Sequence, residues 1–101
     1  MEKVIRISKK KLKSVNVYMG GKIAEVRANK ELTQAAMSDK LKMSRTNYVN
    51  MEGGRQGIAM DKLFQIAIIF DLPITYFLPT KEWYVEYGNK EVRIKITYEF
   101  E

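Results

Sequence analysis

Between Lys42 and Gly54 the chain reads KMSRTNYVNMEGG, a stretch rich in guanidinium, hydroxyl and amide groups. Arg45 carries a planar fork of N–H donors, and Asn47 and Asn50 each set a donor beside an acceptor. Such groups match the edges of hydrogen-bonding heterocycles: the fork meets two adjacent acceptors, the amide a donor–acceptor pair. Thr46 adds a methyl for apolar contact. No acid stands between Asp39 and Glu52, so nothing along the segment repels an anionic partner. Bond-making chemistry has no comparable support. The chain contains no histidine and no cysteine, which removes the commonest general base and the usual zinc ligands. Asp61, Asp71 and the C-terminal glutamates fit no paired-carboxylate or metal spacing. Neither an enzyme nor a cofactor is expected.

Helices must hold these side chains outward. Ser44 is a good N-cap and Gly53-Gly54 a good stop, which predicts a short helix between them. With Tyr48 and Met51 turned inward, helical spacing puts Arg45, Thr46, Asn47 and Asn50 on the outer face. Thr33 caps a preceding helix through Ala36, Met37 and Leu41. A first helix is expected over about residues 21–30, after Gly20-Gly21, with Ile23, Val26 and Arg27 on one face. A fourth begins at about Met60 and carries Leu63, Ile66, Ala67 and Phe70. Pro73 opens a fifth short helix over residues 74–78, and Pro79 closes the bundle. Met37, Met43, Tyr48 and Met51 are expected in the core.

The chain ends alternate in polarity instead. Val4-Ile5-Arg6-Ile7 suggests a short strand, followed by a lysine-rich arm, Lys9-Lys10-Lys11-Leu12-Lys13. Residues 81–101 predict a β-hairpin about Gly88-Asn89, with Val85 opposite Val92 and Trp83 opposite Ile94. Its second strand outruns the first, leaving an edge that needs a partner. Trp83, Ile96, Tyr98 and Phe100 are therefore expected at a sheet or homodimer contact. The division is an N-terminal strand and arm over 1–18, a helical bundle over 19–79 and a hairpin over 80–101. The expected fold class is mainly α, a five-helix bundle with a C-terminal β-hairpin, to which the short N-terminal strand could be added.

Net charge is +6, but it is unevenly spread. Residues 1–58 hold 13 Lys/Arg against 5 Asp/Glu, whereas residues 59–101 hold 5 against 7. The positive excess coincides with the segment described first, as expected of a polyanion binder. The longest aliphatic run, Ile66 to Phe70, is too short to span a bilayer, and the basic N-terminus has no apolar signal core. A cytoplasmic location is the expectation.

The second and third helices with their short turn form a helix-turn-helix, a unit whose second helix fits the DNA major groove. Residues 21–78 resemble the lambda-repressor/Cro-type, or XRE, helix-turn-helix family. The likeness rests on Ile23, Arg27, Leu32-Thr33-Gln34, Met37, Leu41, Met43-Ser44-Arg45, Tyr48, Met51-Glu52, Gly54-Arg55, Leu63, Ile66-Ala67 and Leu72-Pro73-Ile74. It implies base contacts from Arg45, Thr46, Asn47 and Asn50. It implies phosphate contacts from Thr33, Gln34, Lys42, Ser44, Arg55 and Gln56, and a structural ion pair between Arg27 and Glu52. The family's usual turn glycine is replaced by Lys42, and its usual second-helix alanine by Ser38. The function implied is a sequence-specific double-stranded DNA-binding regulator, a small dimeric repressor of phage or prophage type. The alternative is an antitoxin or co-regulator whose hairpin or bundle holds a protein partner.

Overall fold

The computed structural model describes residues 2–6, 14–87 and 93–97. Along them run β1 (Glu2–Arg6), α1 (Val15–Asn29), α2 (Gln34–Lys40), α3 (Arg45–Glu52) and α4 (Met60–Phe70). A 3-10 turn (Ile74–Phe77), α5 (Lys81–Tyr87) and β2 (Arg93–Thr97) follow. They fall into two units: Asn16–Pro79, and the two chain ends, Met1–Val15 with Thr80–Glu101.

The Asn16–Pro79 unit is built by apolar side chains at helical spacing. Ile23 and Val26 of α1, Met37 and Leu41 at α2, and Tyr48 and Met51 of α3 are buried. Leu63, Ile66 and Phe70 of α4 join them, and Phe77 of the 3-10 turn is fully enclosed beside Phe70. Each side chain of this size contributes about 1.5–3 kcal/mol by leaving water, so one residue suffices to pin that short turn. The expected fifth helix thus exists as a single 3-10 turn.

α1 begins at Val15, earlier than the sequence suggests, and Gly20-Gly21 lies inside it rather than before it. Tertiary packing overrides propensity here. A Cβ on Gly20 would overlap the Glu52 carbonyl and stand 2.8 Å from the Met51 carbonyl oxygen. The glycine lets α1 rest directly on the backbone at the end of α3. Gly21, one position on, has nothing near its missing side chain.

α1 to α4 stop alike. A residue one or two positions past each, Glu31, Lys42, Gly54 or Asp71, takes a left-handed conformation with φ of 57°, 53°, 75° or 54°. The next amide reaches back five residues: Leu32 to Arg27, Met43 to Ser38, Arg55 to Asn50 and Leu72 to Ala67. This paired closure satisfies carbonyls that a helix end would otherwise leave bare. Only Gly54 adopts the conformation without steric cost.

At the chain ends β1 and β2 pair antiparallel, Glu2 opposite Thr97 through Arg6 opposite Arg93. The expected C-terminal hairpin is not formed, and with it falls the fold class that included it: Trp83 to Tyr87, read as its first strand, is helical. Thr80 explains the outcome. Its hydroxyl accepts the Trp83 amide at 3.0 Å and its carbonyl the Tyr84 amide at 3.0 Å, an N-cap that starts a helix. Trp83 and Tyr87 then pack at i, i+4, their rings tilted by 46° with centroids 6.0 Å apart. The proposed turn at Gly88-Asn89, Val92, Tyr98, Phe100 and the lysine arm lie outside the described residues.

Neighbouring glycines should respond oppositely. Gly21→Ala is expected to stabilise by up to about 1 kcal/mol through helix propensity. Gly20→Ala is expected to destabilise by about 1–3 kcal/mol through forced backbone displacement. Lys42→Gly should gain about 1 kcal/mol by relieving the left-handed strain. Urea unfolding of the three variants measures all of these.

Candidate nucleic-acid interface

α2 and α3 enclose the turn 41–44, and each is capped by the residue before it. Thr33 Oγ1 accepts the Ala36 amide at 3.0 Å, and Ser44 Oγ accepts the Asn47 amide at 3.1 Å. Each hydroxyl keeps its own hydrogen for donation to an outside acceptor. The caps also leave the positive ends of the helices open to an anion.

With Tyr48, Met51 and Glu52 turned inward, α3 exposes Arg45, Thr46 and Asn47, while Asn50 is half-buried on its second turn. From Lys40 to Met60 the one acid is Glu52, and it is 8% exposed. The outer surface of this segment therefore carries Lys40, Lys42, Arg45 and Arg55 with no acid among them. Arg55 is exposed just past the helix, its guanidinium close over Gly53, and Gln56 is half-buried beside it.

Behind this surface lies a polar network centred on Glu52. Its carboxylate accepts Arg27 Nε at 2.8 Å and Nη2 at 2.8 Å, the Tyr48 hydroxyl at 2.6 Å and Gln34 Nε2 at 3.1 Å. Arg27 Nη1 also donates to the Leu32 carbonyl at 2.8 Å. Four donors fill the acceptor sites of one carboxylate, so the buried charge is fully satisfied. Burial works against ionisation of Glu52, but hydrogen bonds from Arg27, Tyr48 and Gln34 outweigh it and hold its pKa below the ordinary value. Tyr48 is pushed up, first by burial and then by its bond to Glu52. Arg27 is raised, chiefly by its hydrogen bond to Glu52.

Arg27, Gln34 and Glu52 thus meet at one point, drawn from three helices. Sequence reasoning had set Gln34 against a phosphate; here one of its amide hydrogens is given to Glu52. The Tyr48 hydroxyl and Lys62 were missed altogether. Lys62 Nζ donates to the Leu41 carbonyl at 2.6 Å and closes the end of α2. No local pattern flags a bond spanning 21 positions. Trp83 lies on α5 in the other unit, whereas the side chain of Ile96, with Tyr98 and Phe100, falls outside the described residues. Among the described residues no group of three or more His, Cys, Asp or Glu is placed to hold a metal ion. No single helix among them is long and apolar enough to cross a membrane.

Residues 20–82 match a family described as a helix-turn-helix domain. The fold is similar to the restriction-modification controller protein C.AhdI from Aeromonas hydrophila, with a TM-score of 0.57 and 19% identity, over 61% of this chain and 94% of that one. It is similar to the clp gene regulator ClgR from C. glutamicum, with a TM-score of 0.60 and 15% identity, over 64% and 84%. The DNA-binding domain of BldD gives a TM-score of 0.56 and 18% identity, over 64% and 94%. At such identities these likenesses establish the fold. Compared by sequence with curated proteins, the chain matches none.

The Glu52 network sets a pH expectation. Because the folded pKa is depressed, the stabilisation is complete above the unfolded value of about 4.3 and is lost as pH falls through the folded value. Glu52→Gln leaves Arg27 without its counter-charge and should cost about 3–5 kcal/mol near neutral pH. That gap between wild type and variant should begin to narrow below the unfolded value of about 4.3 and close as pH falls through the depressed folded value, where the wild type loses the same charge. Chemical denaturation across this pH range reads the difference.

Proposed function

The chain belongs to the XRE-type helix-turn-helix family of DNA-binding transcription regulators, and from that premise we propose that it binds a specific double-stranded operator through α3. The observation that carries this is the outer face of α3, where Arg45, Thr46 and Asn47 stand exposed and acid-free above a buried Tyr48–Met51 face. Arg45 reads guanine through its fork, Asn47 and Asn50 read adenine, and the Thr46 methyl meets thymine. Thr33 and Ser44 donate their hydroxyl hydrogens to phosphates, and Arg55 and Gln56 hold the backbone beyond α3. Gln34 offers a phosphate its second amide hydrogen, the first being given to Glu52. The Arg27–Glu52 pair acts as scaffold.

Two copies bind half-sites about one helical turn, roughly 34 Å, apart on a two-fold operator in the cytoplasm. Repression follows from occupancy, which blocks a promoter.

Selection of bound sequences from a random duplex pool should yield a short two-fold motif. On that motif Arg45→Ala and Asn50→Ala should each cost about 1–3 kcal/mol, concentrated at one base pair. Arg55→Ala should weaken binding to all duplexes alike and reduce the salt slope by about one. Uniform loss in both sets would overturn the assignment of base readers.

A further inference from the structure

On the Asn16–Pro79 unit a cleft of about 360 Å³ opens between the end of α2 and the outer side of α4. Its lining combines the apolar Leu41, Ile68 and Ile69 with Gln65 and the cations of Lys40, Lys42 and Lys62. No acid lines it: Asp39 and Asp61, each next in sequence to a lining lysine, are not part of the lining. Ile68 is 77% exposed, the most exposed large apolar side chain among the described residues. Among those residues neither Lys40 nor Lys42 is paired with a carboxylate.

Lys42 lies at the left-handed stop of α2, as Glu31 and Asp71 do at the stops of α1 and α4. It occupies a left-handed position, φ 53°, where glycine is the residue without strain. Its side chain lines the cleft together with Lys40 and Lys62.

We propose that this cleft docks a protein segment bearing alternating carboxylate and apolar side chains. The carboxylates meet the three lysines while the apolar side chains cover Leu41, Ile68 and Ile69. Duplex DNA offers phosphates for the lysines but nothing that gains from covering the apolar side chains. A purely acidic polymer has the same deficiency. The acidic, apolar segment satisfies both halves of the surface. Docking here is independent of base reading by α3.

A fluorescein-labelled peptide of about a dozen residues, glutamate alternating with leucine, is titrated with the full chain at low salt and read by anisotropy. The wild type should bind it. Binding should weaken at least about tenfold for Lys40→Glu with Lys42→Gly, and likewise for Ile68→Ser. Peptides with glutamine for glutamate, or serine for leucine, should lose about as much. Lys42→Gly alone should melt higher than wild type yet bind less tightly, a result that unfolding cannot produce. Absence of wild-type binding, unchanged binding by the variants, or equal binding of the control peptides overturns the proposal. It also falls if the lysine substitutions spare the peptide and abolish duplex binding, because the cations then serve phosphate. A wild-type dimer in sedimentation that Ile68→Ser dissociates would make a second copy the occupant and would overturn it equally. Because the peptide is read without DNA, its failure leaves the α3 assignment standing.

Discussion

The Glu52 carboxylate is the constraint on which the bundle turns. A buried carboxylate is tolerated only when its acceptor sites are filled, and Glu52 fills them from three helices: Arg27 of α1, Gln34 of α2, and Tyr48 of α3 itself. Since Glu52 and Tyr48 are one turn apart on α3, their two side chains fix the rotation of that helix. Arg45, Thr46 and Asn47 are outward as a consequence. Much of the Arg27–Glu52 attraction is offset by desolvation, so the pair adds little net stability compared with an apolar replacement. What it adds is direction, because an apolar contact can slide and a bidentate fork cannot.

A steric constraint complements the polar one. Gly20 allows α1 to touch the carbonyls of Met51 and Glu52, and Gly54 lies so close to Val17 that a Cβ would stand 2.6 Å from its Cα. The end of α3 is therefore held from one side by hydrogen bonds and from the other by close backbone contact. Gln34 carries the same constraint to the start of α2. The proposed phosphate contact and the proposed base readers thus share one rigid anchor, which is the condition for reading sequence in a fixed register.

Most of this bundle was legible because its signals are local. Thr33 and Ser44 announce helix starts by their own hydroxyls, and Tyr48 with Met51 marks an inner face by spacing alone. The failures share a different origin. Gly20 looks like a helix breaker within its neighbourhood, and only its contact with α3, 32 positions away, shows that a helix requires it. Glu31, Lys42 and Asp71 take left-handed turns that composition does not announce, although Lys42 stood out as the replacement of an expected glycine. At the C-terminal side the alternation of Trp83, Val85 and Tyr87 fits a strand, but Trp83 and Tyr87 also fit i, i+4 on a helix. Thr80 just before them was the local signal that decides between the two, and the apparent hairpin turn obscured it.

Charge placement follows from the same anchor. At physiological salt, exposed charges act over about 8 Å, so a net charge of +6 matters less than which charges are neighbours. Burying Glu52 removes the only acid between Lys40 and Met60 from the surface and uses it to neutralise Arg27. Arg45 and Arg55 are then left unopposed on the proposed DNA face, and Lys40 and Lys42 around the α2–α4 cleft. A single inward carboxylate both orients α3 and leaves its surroundings cationic. Had the same residue turned outward, α3 would lose its rotational reference and its surface would gain a charge that repels phosphate. The orientation of the helix and the sign of its surface are thus two results of one buried contact.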